Sequence, residues 1–490
     1  MSQDEWPTGK QPKVSDGAEE TPTDNGQRAR RGSIAADDTE EAPVATGARK
    51  VSRHAERSEA PRKNHQRTFS WLGRLGEALG VMVVLAAVVF VSGLAADVTP
   101  TPPSRLNITS SLFCQNIDGL AGSISGVADS DLKWQPDGGA ATPGSTFFQH
   151  AVDTESTLQG TGSVAGVVQF GSGAQVAAAG CTTPAASGYL QSGAANGTLI
   201  MQNIDDQDAI LNVAILGSGG EIDPSDFIDL KIPAGTVKQI NIGDYATGIS
   251  PVAVRWQSTV GRVLAWLVTS GSSGLDMVTP TSAANQVVVP GVPGGATVQV
   301  LITNPATVRI KAQVEALTAQ GRVVVAGAEQ VTIEAGSTTS VDITSALSTD
   351  PTALVVTADQ PVAASAWLSQ ASDKATSPGV LANQAGGVDA FGVNPGHSQL
   401  VISNVSQSAT EATVTFGNTG TPQKVPIAAG VTTAIDASQP GAVRVSGTGI
   451  VAALVIRGGT DDTSGMSVVA LPPDTARAGL TPAWIEAQPV

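Results

Sequence analysis

The sequence predicts an all-β protein built from several modules, and three observations support this prediction. Aromatic residues make up 4% and charged residues 14% of the 490-residue chain, whereas Gly and Pro number 54 and 29. Ala, Val, Thr, Ser and Gly dominate after residue 105, a mixture typical of short strands joined by turns. A strand-turn pattern also recurs with a period near 100 residues in this region.

Three kinds of landmark define the repeat. An early strand of each copy ends on an asparagine, a later turn carries a glycine, and an apolar strand carries a tryptophan in two copies. The landmarks are Asn203, Asn304 and Asn404; Gly235, Gly336 and Gly430; and Trp266 and Trp367. All three kinds are offset by 101 residues between the first two copies, and the third copy is shorter. Asn suits the end of a strand because its side chain caps local backbone groups, and Ala-Gly between two β runs is typical of a hairpin.

The strand count of each copy favours an immunoglobulin-like β-sandwich. About six or seven short strands in roughly 75 residues match that fold. We therefore predict tandem sandwiches at residues 196–275, 290–372 and 396–470. A β-propeller is the alternative, but its blades are about 40–50 residues long and the landmarks do not recur at half the period. The two tryptophans lie among small and apolar residues, which predicts that they pack in sandwich cores rather than serve as ligand platforms.

One apolar segment predicts a transmembrane helix. Ala78 to Ala96 holds no charged side chain over 19 residues. As a helix it would span about 28 Å, close to the roughly 30 Å hydrocarbon core of a bilayer. Basic residues precede it and Asp97 follows it, so the N-terminus is expected in the cytoplasm and the C-terminal region outside. We predict an uncleaved signal anchor at 75–96; a cleaved signal peptide is the alternative.

The flanking segments complete the predicted organisation. Residues 1–74 form a cytoplasmic tail that is too polar to bury a core, so we expect disorder there. Residues 97–105 form a Pro/Thr linker, and residues 471–490 form a C-terminal tail. Such an arrangement predicts a single-pass protein of the plasma membrane.

The membrane-proximal segment, residues 106–195, matches the repeat poorly but carries both cysteines of the chain, Cys114 and Cys181. In an oxidising exterior two thiols of one segment should pair, so we predict a disulfide. In the loop-closure model such a bridge contributes roughly 4 kcal/mol. Metal binding would need more ligands than two thiols, and catalysis would need a partner base.

A short stretch after Cys181 resembles a known group of proteins. Cys181-Thr-Thr-Pro184, then Tyr189-Leu-Gln-Ser-Gly193 leading into TLIMQN, together with the Asn304-Pro305 turn, is similar to an uncharacterised actinobacterial family of secreted or membrane-anchored proteins. The resemblance covers residues 105–460. It implies a β-sandwich-repeat architecture and an exterior location, and it implies no known activity.

The charge distribution argues against nucleic-acid binding. The net charge is −16, and residues 1–70 are balanced with twelve acidic and twelve basic side chains. The excess negative charge therefore lies after the apolar segment, where it would repel phosphate backbones.

No residue pattern indicates catalysis, and we predict no enzyme, cofactor or metal site. Of the four histidines, only His150 and His397 follow the apolar segment, and no nucleophile elbow or phosphate loop is present. Carboxylate groups occur in polar turns: Asp205, Asp206 and Asp208; Asp223 and Asp226; and Asp461 and Asp462. Carboxylates in such turns are ordinarily solvated, although a calcium ion between modules stays an alternative.

Three functional hypotheses follow. The first is a structural or interaction platform in the cell envelope, with an envelope protein as partner. The second is an array of carbohydrate-binding modules for cell-wall glycan. The third is a secreted hydrolase that uses His397 or the Asp205 turn.

Overall fold

The computed structural model describes residues 109–222, 225–271, 274–381, 389–459 and 464–474. These residues belong to one compact unit, and its secondary structure there consists of strands and three short 3-10 helices. The all-β prediction is confirmed. No helix within the described ranges is long and apolar enough to cross a membrane. The predicted helix at 75–96, the tail at 1–74 and the linker at 97–105 lie outside these ranges.

Module 1 comprises residues 109–181 and forms one sheet in the order β1-β5-β2-β3, with β4 on β2 and β6 on β5. Two long strands that bend at register shifts form its centre. The strands are β1 (Thr109–Cys114), β2 (Gly122–Pro136), β3 (Thr142–Pro143), β4 (Phe147–Val152), β5 (Ser156–Ser172) and β6 (Gln175–Gly180).

Module 2 comprises residues 185–281 and has two sheets, ordered β10-β9-β13-β7 with β11 on β9, and β12-β8-β14-β15. Leu190 and Val254 from one sheet pack against Leu199 and Leu267 from the other, so the two layers enclose an apolar core. The elements are β7 (Ser187–Ser192), β8 (Thr198–Gln202), β9 (Ala209–Gly217), β10 (Gly220–Ile222), η1 (Ser225–Phe227), β11 (Leu230–Ile232), β12 (Val237–Asn241), η2 (Ile242–Asp244), β13 (Val252–Val260), β14 (Leu264–Gly271) and β15 (Gly274–Val278).

Module 3 comprises residues 284–381. One 19-residue strand, β22, serves both layers, because its first half pairs with β16 and β18 and its second half pairs with β17 and β23. The elements are β16 (Ala284–Val292), β17 (Thr297–Asn304), β18 (Ile310–Thr318), β19 (Gly321–Val324), β20 (Val331–Ile333), β21 (Ser337–Asp342), η3 (Thr344–Ala346), β22 (Thr352–Gln370), β23 (Asp373–Pro378) and β24 (Val380–Leu381).

Module 4 comprises residues 389–474 and has sheets ordered β25-β30-β27-β28 and β29-β26-β31-β32. Its strands are β25 (Ala390–Asn394), β26 (Ser398–Asn404), β27 (Thr410–Phe416), β28 (Gln423–Ile427), β29 (Thr432–Ala437), β30 (Gly441–Ser446), β31 (Ile450–Arg457) and β32 (Met466–Ala470). In modules 2 to 4 a first strand, β7, β16 or β25, precedes the strand that ends on or directly before the landmark asparagine.

The modules differ from propeller blades in how the chain enters each sheet. In module 2 the chain crosses repeatedly between two sheets, whereas a propeller blade is a single four-stranded sheet. None of the described sheets closes on itself. The paired layers are consistent with β-sandwiches.

The four modules nevertheless follow one another around a common centre. One short strand near the end of each module contacts its counterpart in the next module in a closed cycle, in which β6 contacts β15, β15 contacts β23, β23 contacts β32, and β32 contacts β6. We call these the inner strands, and we call the boundary between two neighbouring modules a seam. The seams join modules 1 and 2, 2 and 3, 3 and 4, and 4 and 1.

Candidate functional site

A polar groove of about 380 Å³ lies between module 1 and module 4. This volume is within the range of small-ligand sites in proteins. Module 1 contributes side chains from β2, β4 and β5, and module 4 contributes two turns and the end of β31. The lining residues are Ser123, Gln149, Gln169, Pro395, Gly396, His397, Ser438, Pro440, Arg457 and Gly458.

One asparagine holds both turns of the module 4 wall in place. The side-chain oxygen of Asn394 accepts the N–H of Gly396 at 2.9 Å. Its amide donates to the carbonyls of Ala437 and Gln439 at 2.6 and 2.7 Å. Because Asn394 is fully buried, the turns at 395–397 and 438–440 are positioned without a ligand.

His397 occupies an unusual backbone conformation at the edge of the groove. Its φ is 49°, in the left-handed region that few residues other than glycine adopt. The side chain is exposed, and the backbone carbonyl accepts the N–H of Arg457 at 2.9 Å. Backbone strain of this kind clusters at functional sites, which makes this turn a candidate for ligand contact.

The groove is polar and has no acidic lining residue among the described residues. The Arg457 guanidinium donates to the Gln370 side chain at 2.5 Å, and Gln149 donates across the groove to the carbonyl of Pro395 at 3.3 Å. The described lining of the groove, with Arg457 and without an acidic residue, thus contrasts with the net charge of −16 of the whole chain. Amides, hydroxyls, one imidazole and one guanidinium suit a ligand that is neutral and polar, or anionic.

A buried carboxylate lies at the centre of the inner strands. Asp373 is 0% exposed and accepts the backbone N–H groups of Val176, Leu275 and Met466, which belong to the other three modules. The donor–acceptor distances are 3.0, 3.1 and 2.9 Å. Burial raises the pKa of this carboxyl, although the surrounding N–H donors oppose the change. Asp373 thus connects all four modules.

A second carboxylate is buried at the seam between modules 2 and 3. The Thr376 hydroxyl of module 3 donates to Asp276 of module 2 at 2.6 Å. Burial raises the pKa of Asp276 to about 6, and the nearby charge of Asp373 adds to the effect. The Asp276 carboxyl is therefore protonated in mildly acidic solution.

The landmark asparagines all serve the same local role. In Asn203, Asn304 and Asn404 the side-chain amide donates to the carbonyl four residues later at 2.7 to 2.8 Å and to a carbonyl of the later hairpin. The side-chain oxygen accepts the N–H two residues later at 2.9 to 3.1 Å. Each asparagine joins a turn to a hairpin.

The landmark glycines occupy equivalent turns but have different neighbours. Gly235, Gly336 and Gly430 have φ of 65°, 60° and 68°, which favours glycine over any other residue. The Gly336 turn lies against Glu221 of module 2, and the Gly430 turn lies against Arg322 of module 3. The Gly235 position has no heavy atom near its missing Cβ.

The two landmark tryptophans face the preceding module rather than the core between their own two sheets. Trp266 is 0% exposed and packs in a cluster that includes module 1 residues. Trp367 is half-buried, with its ring beneath Gly193 of module 2, where a Cβ would lie 2.2 Å from the indole. Lys374 lies above the Trp367 ring at 5.0 Å. The structure brings neither tryptophan into the groove.

The predicted disulfide is confirmed. Cys114 and Cys181 form a bond with an S–S distance of 2.01 Å across 67 residues of sequence. The bridge ties β1 to the segment that follows β6. It therefore closes module 1 at the start of the linker to module 2.

The acidic turn at residues 205–208, a candidate for hydrolysis or calcium binding, is engaged in ion pairs, whereas Asp226 is exposed. Asp205 accepts from Arg262 at 2.9 Å, and Asp208 pairs with Lys231 at 2.5 Å. His150 stacks on Trp134 with ring centroids 4.9 Å apart. Within the described part of the chain, no group of three or more His, Cys, Asp or Glu side chains could hold a metal ion. Asp223, Asp461 and Asp462 lie outside the described residues.

Comparison with known proteins places the chain in a family. A family model described as "Family of unknown function (DUF5719)" matches residues 138–438, which is more than half of the chain. The chain belongs to this family. The match includes the Cys181–Pro184 and Tyr189–Gly193 stretches, and it extends from module 1 into module 4. No curated protein matches the sequence.

Proposed function

We propose that this chain is a non-catalytic, membrane-anchored protein that acts as a structural or interaction platform outside the cell. In this proposal the apolar segment at 75–96 is a signal anchor and modules 2 to 4 are immunoglobulin-like sandwiches. The partner is a protein of the cell envelope. The observation that carries the platform role is the bonding of Asp373 to all four modules, because it favours one rigid body over a flexible string of domains.

The exterior location is supported by the Cys114–Cys181 bond. Disulfides persist in oxidising compartments and are rare in the cytosol. The chain holds no other cysteine, so the bond has no competing thiol partner within the chain. Its position also suits an anchored protein, since it stabilises the module nearest to the predicted membrane segment.

The non-catalytic role is supported by the surroundings of the exterior histidines. The His150 ring stacks on Trp134 and on Phe148, at 4.9 and 5.1 Å between centroids. The described lining of the groove offers no carboxylate that would orient the His397 imidazole as a general base toward a serine nucleophile.

Protease treatment of intact cells tests the topology. We expect externally added protease to degrade modules 1 to 4 and to leave the N-terminal tail intact inside the cell. The two cysteines should resist alkylation until the sample is reduced. Protection of the modules in intact cells, together with two freely alkylated cysteines, would contradict the proposal.

Cross-linking in intact cells tests the platform role. Residue-specific photo-cross-linkers on the exposed strands β19 and β28 should capture one or a few envelope proteins reproducibly. Cross-linkers at buried positions such as Val300 serve as a control and should capture none. Failure to capture any protein from exposed positions would favour the glycan hypothesis instead.

Binding of cell-wall glycan is the second candidate, and the groove between modules 1 and 4 favours it. Amide and hydroxyl groups of Gln149, Gln169 and Ser438 can exchange hydrogen bonds with sugar hydroxyls. We expect the full-length chain to be retained on purified wall glycan, and Gln149→Ala with His397→Ala to reduce retention. His150→Ala, an exposed histidine away from the groove, is the matched control. Equal retention of all variants would exclude the groove.

A further inference from the structure

We propose that the centre of the four inner strands is a carboxylate-binding nest, which the protein fills with its own Asp373. The nest is a site for one small anion, and its donors come from all four modules. In the intact chain, the closed ring of four modules depends on the side chain of Asp373 alone to fill this site. Removal of that side chain should create a site for an external monocarboxylate.

The donors are four backbone N–H groups at equivalent places in the repeat. Val176, Leu275 and Met466 donate at 2.9 to 3.1 Å, and the N–H of Lys374 also donates to this carboxylate. Each donor is the first or second residue of its inner strand. Each module places one backbone N–H group at the centre of the inner strands. The donors therefore lie close together because the modules surround that centre.

Only one module supplies the acceptor. The residues that precede the other three donors are Gln175, Gly274 and Gly465. Gln175 directs its amide outward to the carbonyl of Gly271 at 3.3 Å, and the two glycines carry no side chain. A second carboxylate at this centre would repel the first at close range in a buried environment, so a single anion fits the donors best.

The two glycines also provide the space for the carboxylate. A Cβ on Gly465 would lie 2.5 Å from one oxygen of Asp373, and a Cβ on Gly274 would lie 3.0 Å from the other oxygen. The φ of Gly274 is 137°, which side chains rarely tolerate. Glycine at these places therefore permits the anion to approach the backbone closely, as in other anion-binding nests.

Burial shields the N–H donors of the nest from water. Asp373 is 0% exposed, so water does not compete for the four N–H groups while the ring is closed. Loss of the carboxylate would leave these donors unpaired in the interior, which is strongly unfavourable. A formate ion matches the group that Asp373→Ala removes, and an acetate ion matches the group that Asp373→Gly removes.

Thermal unfolding of the full-length chain tests this proposal. We expect Asp373→Ala to lower the Tm by about 5 °C or more, because several buried donors lose their acceptor. Sodium formate should raise the Tm of this variant in a saturable manner, and sodium acetate should do the same for Asp373→Gly. Sodium chloride at equal ionic strength should not, and the native chain should respond to none of the three salts.

Two further variants keep the test decisive. Asp276→Ala removes another buried carboxylate that lacks the four-donor arrangement, so it should show no response to formate. Asp373→Asn fills the nest with an amide and should be destabilised without rescue by formate. If Asp373→Ala does not fold, the yield of refolding with formate against chloride gives the same comparison. An equal response to formate and chloride, or the same response in Asp276→Ala, would overturn the proposal.

Discussion

The seam between modules 2 and 3 and the seam between modules 3 and 4 join equivalent parts of neighbouring repeats, yet they are held by different forces. At the seam between modules 3 and 4, Val401, Val455, Met466 and Val468 of module 4 join the apolar core of module 3. Among the described residues, no apolar cluster extends from module 2 into module 3. Equivalent seams therefore join the same parts of neighbouring modules but differ in the kind of side chain that holds them together.

The seam between modules 2 and 3 uses polar groups instead. The Gln191 amide of module 2 donates to the hydroxyl of Thr303 at 2.8 Å and to the carbonyls of Leu301 and Ala363 at 3.3 and 3.2 Å. The side-chain oxygens of Gln191 and Ser365 are buried without a partner. Net hydrogen-bond contributions are about 1 kcal/mol each, whereas a fully buried apolar side chain contributes about 1.5–3 kcal/mol. We infer that the ring opens first at this polar seam.

The largest effect is expected at the seam between modules 4 and 1, which a buried ion network closes. Arg444 pairs with Asp474 and with Asp129, and Asp474 also accepts from the Ser163 hydroxyl at 2.8 Å. Because the Asp474 side chain is 1% exposed, Asp474→Ala should lower the free energy of unfolding by about 3–5 kcal/mol. Denaturant unfolding measures the change. Glu411→Ala breaks the exposed pair with Lys424 and should cost less than about 1 kcal/mol; equal losses would refute the assignment.

The apolar seam gives the next largest effect. Met466 is 0% exposed and packs in the cluster shared by modules 3 and 4. Met466→Ala should therefore cost about 3 kcal/mol through lost contacts and a residual cavity. Val308→Ala, at a side chain that is 57% exposed, should change stability by less than about 0.5 kcal/mol. A loss below about 1 kcal/mol for Met466→Ala would show that this seam is not held by packing.

A pH-dependent effect of similar size is expected at the polar seam. The pKa of Asp276 is raised from 3.8 to about 6, so the folded state binds its proton more tightly than the unfolded state does. This group therefore stabilises the fold least above pH 6, and its contribution falls as pH rises from about 4 to 6. Asp276→Asn should raise the free energy of unfolding at pH 7 by up to about 3 kcal/mol and leave it nearly unchanged at pH 4. Denaturant unfolding at several pH values checks this, and a stabilisation that does not vary with pH would contradict it.

The smallest effect is expected for the amide that spans the polar seam. Gln191→Met removes three hydrogen bonds but also removes a buried oxygen that has no partner. The net cost should be about 1 kcal/mol or less, because removal of the buried oxygen that has no partner offsets part of the loss of the hydrogen bonds. Denaturant unfolding beside Met466→Ala provides the comparison. A cost greater than that of Met466→Ala would reverse our ranking of the two seams.

The sequence predicts local structure well where one turn repeats. The side chains of Asn203, Asn304 and Asn404 share one hydrogen-bond pattern, which is the capping role that asparagine commonly has at a strand end. Asn394 has the same role beside the groove, and its Asn-Pro-Gly sequence resembles the Asn304-Pro-Ala turn. The Asn-Pro pattern at Asn394 could therefore have predicted the turn that forms one wall of the groove.

The closed arrangement of the modules could not be predicted from periodicity. Trp266 and Trp367 occupy the same place in the repeat, but one is buried against module 1 and the other is half-buried beneath Gly193. Asp373 has no counterpart in the other copies, and its partners lie 93 to 197 residues away. Such contacts depend on how modules pack, which alternation within a strand does not encode.

Hydrogen exchange on the full-length chain tests the closed ring and its polar seam most directly. Peptides from β7 and β15 and peptides from β31 and β32 are compared by mass spectrometry at neutral pH. We predict slow exchange in all four inner strands, with faster exchange in β7 and β15 than in β31 and β32. Fast exchange throughout the inner strands, or faster opening at β31 and β32, would contradict the account.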